Sequence, residues 1–129
     1  MLEAMWVCFV LAVIDGDTFT ARCQTWPQYY VETSIRIVGI DTPELRGRCE
    51  KEKRLAAEAR NALAELLPLQ QSVLLSHVEP DKYGGRFLAS VRTADGVDVS
   101  GELLKRGLAV SYSGKGTKHD FCKTMKPEQ

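Results

Sequence analysis

The sequence predicts a mainly β fold with helices: a five-stranded OB-fold barrel with one long helix between strands 3 and 4 and a short helix near 100–106. Three observations predict it. Asp15-Gly16 and Asp95-Gly96 are hairpin-turn pairs set between runs of strand-forming residues. One segment, 50–67, carries a helical apolar stripe. The order is three strands, that helix, then two strands.

The first strand covers about 5–14, an apolar run of ten residues. That is too short to span a membrane as a helix. It lacks the preceding basic region of a signal peptide, and it runs straight into Asp15-Gly16. The second strand covers about 17–24, where Thr18, Phe19 and Thr20 favour extended backbone. Gln24 to Gln28 breaks it, and a third strand follows at about 31–40. In the helix, Leu55, Ala59, Ala62, Leu63 and Leu66 share one face. Glu50 and Arg54 are spaced for an i,i+4 pair, and Pro68 ends the helix. Strands at about 72–79 and 86–93 flank the Asp81–Gly85 loop, and a short extension at 97–99 follows Asp95-Gly96. Ser100 suits an N-cap for a helix at Glu102–Arg106, closed by Gly107. From Ser111 the chain is Gly/Lys-rich, and an irregular tail is expected. The whole reads as one domain: the barrel at 1–110 and its tail at 111–129.

Apolar content of 44% and charged content of 26% are ordinary for a globular protein. A net charge of zero argues against coating nucleic acid by bulk electrostatics. It leaves room for an enzyme that neutralises one or two phosphates locally. Cys8, Cys23, Cys49 and Cys122 show no C-x-x-C spacing, and His77 and His119 lie too far off to complete a zinc quartet. Cys8 and Cys23 are equidistant from Asp15-Gly16 and could face each other across a hairpin. Cys49 precedes the main helix and Cys122 sits in the tail. Two disulfides, or four free thiols, are both compatible with this placement. Two disulfides would suit an extracytoplasmic compartment.

The densest chemistry lies at Arg36–Glu44, where a strand feeds Asp41, Thr42, Pro43 and Glu44 into a turn. Asp17, in the Asp15–Thr18 turn, is a second rim carboxylate. Either aspartate alone reads as a turn residue. Together, with the Thr42 carbonyl and waters, they could bind a hard cation, calcium or magnesium. Glu44 could position or deprotonate a water aimed at phosphorus, or be a solvated turn residue. Arg36 alternates with Ile35 and Ile37 and so faces away from their side of the sheet. Arg86 follows two glycines that allow close backbone approach. The two guanidiniums could bracket a phosphate, or form surface ion pairs. Lys82 and Tyr83 could touch a neighbouring phosphate or stack on a base.

The motifs V-I-D-G-D-T-F at 13–19, I-R-I-V-G-I-D-T-P-E at 35–44, D-K-Y-G-G-R-F-L-A at 81–89 and L-L-K-R-G-L-A at 103–109 resemble the staphylococcal nuclease (thermonuclease) family. The resemblance covers about residues 7–110 and implies an OB barrel with helices. It implies a calcium-dependent nuclease that hydrolyses DNA and RNA without sugar preference and leaves 3′-phosphate ends. By motif match, Asp17, Asp41 and the Thr42 carbonyl take the metal positions, and Arg36, Glu44 and Arg86 the catalytic ones. Lys82 and Tyr83 fall in the substrate-binding loop. Two departures stand out: the second glycine before Arg86, and no long C-terminal helix after Val110. A Cys49–Cys122 bridge could replace that helix as a clamp on the barrel. Many relatives are secreted or periplasmic, and a monomer that binds no membrane is expected. The competing reading is a catalytically inactive nuclease-like domain that binds nucleic acid or protein. All five catalytic and carboxylate-ligand positions are filled here, which disfavours it. A plain OB binding module would want a basic, aromatic strand face, and zero net charge argues against that.

Overall fold

A computed structural model describes residues 4–123; the ends of the expected domain and tail, 1–3 and 124–129, lie outside the described residues. In chain order the elements are β1 (Met5–Asp15), β2 (Thr18–Trp26), β3 (Tyr29–Ile37), β4 (Ile40–Asp41), α1 (Glu50–Leu66), β5 (Ser72–Pro80), β6 (Arg86–Thr93), α2 (Val99–Lys105) and β7 (Val110–Ser111). Among the described residues, five strands close a barrel in the order β1-β2-β3-β6-β5, with β5 paired back to β1. All pairs are antiparallel except β3 with β6. This is the OB-fold-like barrel with two helices that the order of elements predicts.

Strand alternation fills the barrel. Cys8 and Val10 of β1, Phe19 and Ala21 of β2, Ile35 and Ile37 of β3, Val73 and Leu75 of β5, and Ala89 and Val91 of β6 all point inward and are buried. Arg36, between Ile35 and Ile37, is on the outer face as expected. Helix α1 closes one end with Ala62, Leu63 and Leu67 in the same core. Its buried stripe includes Ala56 and leaves Leu55 and Leu66 half-buried. Glu50 pairs with Lys53, three residues on, at 3.6 Å, where the spacing predicts Arg54.

Several local expectations are corrected. The first turn sits at Gly16–Asp17, one residue later than predicted, and Gly16 does not adopt positive φ. A Cβ there would lie 2.7 Å from Ala59 Cβ and 2.9 Å from Thr42 Oγ1, so glycine is required by close packing against α1. Two bulges in β1, at Val10/Ala12 and Val13/Asp15, then bring Cys8 opposite Cys23, and the two are disulfide-bonded. The third strand breaks after Ile37. Gly39 turns the chain with φ 87°, and β4 pairs separately with β7. The predicted irregular tail therefore begins as a strand. Among the described residues it runs on to buried Phe121 and a Cys49–Cys122 disulfide. Asp98, not Ser100, caps α2, and Ser100 Oγ donates to Asp98 Oδ1 at 3.4 Å. Gly107, φ 73°, closes α2 in a Schellman motif: Leu108 N–H donates to Leu103 O and Gly107 N–H to Leu104 O, both at 3.0 Å. His77 sits at an exposed bulge of β5 with φ 53°. Among the described residues, no helix is long and apolar enough to cross a membrane.

Candidate active site

Three ends of chain meet at one rim of the barrel: the β1–β2 turn, the end of β3 with β4, and the tail. Arg36 is the hub. Its Nη1 lies 3.1 Å from Asp17 Oδ2 and donates to the carbonyls of Ile37 and Ile40, each at 3.1 Å. Its Nη2 lies 3.7 Å from Asp41 Oδ1. The side chain is only 11% exposed, so these contacts are weakly screened. Thr42 N–H donates to Asp17 Oδ2 at 3.3 Å, and Thr18 Oγ1 to Asp17 Oδ1 at 3.0 Å. The sequence thus places Asp17, Arg36, Asp41 and Thr42 in one cluster because Thr18 and Arg36 are paired neighbours on β2 and β3.

Asp41 is 2% exposed, and its Oδ1 has no hydrogen-bond partner among the described residues. Such an oxygen is costly unless something supplies positive charge. Two carboxylates and a nearby backbone carbonyl suit a hard cation with oxygen ligands. No group of three or more His, Cys, Asp or Glu among the described residues could hold a metal alone. The residues therefore fit a cation that takes the rest of its shell from water and substrate.

Glu44 stands exposed on the turn after Pro43. Partial burial of its carboxyl and the nearby charge of Asp17 push it above the usual carboxylate range, while Lys118 pulls it back. Burial likewise raises Asp41, against Lys118 and Arg36. Asp15 belongs to the same cluster: its Oδ1 accepts from Asp17 N–H at 3.1 Å, and burial together with Asp17 pushes it up to about 7. Sequence reasoning gave Asp15 no role, although the D-G-D spacing was the available signal.

The backbone of Glu44 is held by Glu52, a residue of α1 to which the sequence pattern gives no role. Glu52 is 6% exposed. Its Oε2 accepts Glu44 N–H and its Oε1 accepts Arg48 N–H, both at 3.1 Å. Gly47 permits this wrap, since a Cβ there would lie 2.7 Å from Glu52 Cγ. Cys49 is the N-cap, with Sγ accepting Glu52 N–H at 3.4 Å. A cap three residues before a glutamate is the capping-box spacing, disguised here because the cap is a cysteine.

A cavity of about 450 Å³ opens beside the cluster. Arg36, Lys82, Tyr83, Arg86, Tyr112, Lys115 and Lys118 contribute to its wall. Arg86 and Arg36 share the outer face of the paired β6 and β3 strands. Arg86 Nε is ion-paired to Asp81 Oδ2, which holds Asp81 below its usual range. Gly84 and Gly85, φ 74° and 77°, have open space where a Cβ would be. Their left-handed backbone is what the turn before Arg86 requires, and the space beside them is open toward the loop's surroundings. Tyr83 is 80% exposed, with Lys82 Nζ 5.2 Å from its ring centroid. The tail residues of this wall were not foreseen; the Lys115-Gly-Thr-Lys118 run is the signal that could have pointed to them.

Comparison with known proteins fits this geometry. Residues 34–127 match the profile of the family described as staphylococcal nuclease homologue. A protein named probable endonuclease lcl3 from Neosartorya fischeri is 36% identical over 133 residues, covering 82% of this chain and 44% of that protein. Proteins of the same name from two strains of Aspergillus fumigatus are 35% identical with the same coverage. The chain thus spans less than half the length of these relatives. With its closed barrel, its rim of paired carboxylates and arginine, and a family match across most of its length, this chain belongs to the staphylococcal nuclease homologue family.

Proposed function

We propose that this chain is a calcium-dependent nuclease domain that hydrolyses phosphodiester bonds of DNA and RNA and leaves 3′-phosphate ends. The observation that carries the reading is the buried Asp41 Oδ1, which has no hydrogen-bond partner among the described residues and meets only a long 3.7 Å ion pair to Arg36, beside the Asp17 carboxylate. The names of the relatives and the family match support the nuclease class.

In this reading Asp17 and Asp41, with the Thr42 carbonyl, hold calcium. A cation held there would supply positive charge to a phosphoryl oxygen. Glu44 accepts a proton from the attacking water. Oxygen bonds to phosphorus, the bond from phosphorus to the 5′-oxygen breaks, and that oxygen leaves and takes up a proton. The phosphate stays on the 3′ side. Arg36 turns part of its hydrogen-bonding capacity toward the phosphate as negative charge develops there. Arg86, freed from Asp81, reaches the same group from the other side of the cavity. Lys82 and Tyr83 hold the flanking nucleotide. Two disulfides support placing the natural protein in an oxidising, secreted or periplasmic setting.

Nicking of supercoiled plasmid with calcium, magnesium or EDTA tests the reading. Cleavage with calcium that EDTA abolishes is expected. Cleavage unaffected by EDTA, or none in any condition, overturns it.

A further inference from the structure

We infer that the segment after β7 is a strap that completes the substrate site, and that Lys118 on it binds a backbone phosphate of the nucleic acid. The inference rests on the nuclease reading above and extends it to a residue outside the arginine pair.

Both ends of the strap are fixed. At one end β7 pairs with β4, Asp41 opposite Val110, and Tyr112 N–H donates to Gly39 O at 2.9 Å. At the other, Phe121 is 2% exposed, Cys122 is bonded to Cys49, and Asp120 Oδ1 lies 3.4 Å from Arg48 Nη2. One anchor is therefore beside Asp41, and the other is at the cap of α1, just past the Glu44 turn. The chain between them lines the cavity, where Lys115 and Lys118 join Arg36, Lys82 and Arg86 on its wall. The Lys118 charge opposes the rise that burial imposes on the Asp41 and Glu44 carboxyls. An ammonium there has carboxylates on one side and an open cationic cavity on the other. A polyanion lying in that cavity would meet it. The strap has little apolar surface between its anchors, so its path depends on the Cys49–Cys122 bond.

The test uses the full chain. Binding of a fluorescein-labelled oligothymidylate is followed by anisotropy in calcium, in a Glu44→Ala background that removes cleavage. Lys118→Ala should raise Kd about fivefold at low salt. It should also flatten the slope of log Kd against log salt by about 0.7, one single-strand phosphate contact. Lys118→Arg should restore both. In a Cys122→Ser background, Lys118→Ala should change Kd less than twofold, because the released strap no longer places the lysine. Unchanged Kd and slope in Lys118→Ala overturn the assignment of Lys118. An equal loss in both backgrounds overturns the role of the clamp. Lys118 is exposed, so its variants are expected to fold, and circular dichroism at the assay temperature confirms it for all of them. Failure of the Glu44→Ala parent to bind the oligonucleotide at all would count against the nuclease reading itself, a separate outcome from these.

Discussion

Glu52→Ala should damage both stability and turnover, and the structure says how much. The Glu52 carboxylate is the acceptor for Glu44 N–H and Arg48 N–H, each at 3.1 Å. Hydrogen bonds to a charged group are worth about 1.5–3 kcal/mol each when buried. Both amides lie on an exposed turn where water can replace part of the loss, so the pair should cost about 2–3 kcal/mol. For a domain of this size, roughly 3–4 °C of melting temperature follows each kcal/mol, which gives a drop of about 10 °C. Removing the side chain also frees the turn that presents Glu44, while Arg36 and the cavity wall keep their own anchors. The fall should therefore appear in kcat more than in KM. Glu52→Gln should lie between wild type and alanine, since its amide oxygen can accept only one of the two N–H groups well. Thermal melts followed by circular dichroism, with steady-state cleavage at 25 °C, provide both readings. A melting shift under about 3 °C for Glu52→Ala, or a large shift with normal kcat, would refute the reasoning.

Glu44→Ala should lower cleavage by orders of magnitude with an unchanged melt, because its side chain is exposed. Arg36→Ala should lower both, because it strands the buried Asp17 and Asp41 charges; the cost to stability should be about 3–5 kcal/mol without calcium, read by denaturant titration. Reducing Cys49–Cys122 opens a closure of 73 residues, worth roughly 4 kcal/mol in the chain-entropy account. Melts of Cys122→Ser against wild type should show most of that loss. The Arg86 guanidinium holds Asp81 below its ordinary carboxylate range. Its stabilising effect is thus present above about pH 4 and disappears as pH falls through the lower folded value. Asp81→Asn should flatten that part of the acid limb of stability, and an identical acid limb in the variant would show the pair to be inert.

The barrel was legible because its signals are local. Alternation in β3 set Arg36 apart from Ile35 and Ile37, and turn residues set Asp17 and Asp41 at strand ends. What escaped is long-range. Nothing near Val110 says that it pairs with Asp41, since a two-residue strand has almost no pattern of its own. Glu52 looks like any solvated helix glutamate until the turn at 44–48 folds over it, and Gly47 alone does not announce that fold. Lys118 falls in a stretch with no periodicity, and anchors distant in sequence, β4 on one side and Cys49 on the other, decide where it lies. Gly84 and Gly85 both take left-handed backbone, a requirement that the two letters alone do not reveal.

The two bulges of β1 bear on oxidative folding. Four thiols can join in three ways. From the pairing at the turn, Asp15 opposite Thr18, an unbulged hairpin would set Cys8 against Thr25. Both bulges are needed to slide β1 until Cys8 meets Cys23. The bulged hairpin is therefore a template that selects one isomer, and it does so with a separation of 15 residues, before the distant pair need meet. Once Cys8 and Cys23 are joined, only Cys49 and Cys122 remain, and the second bond has no competing partner within the chain. Deleting one residue from the bulged stretch of β1 would thus reach far beyond that strand, by reopening the choice of isomers at the other end of the molecule.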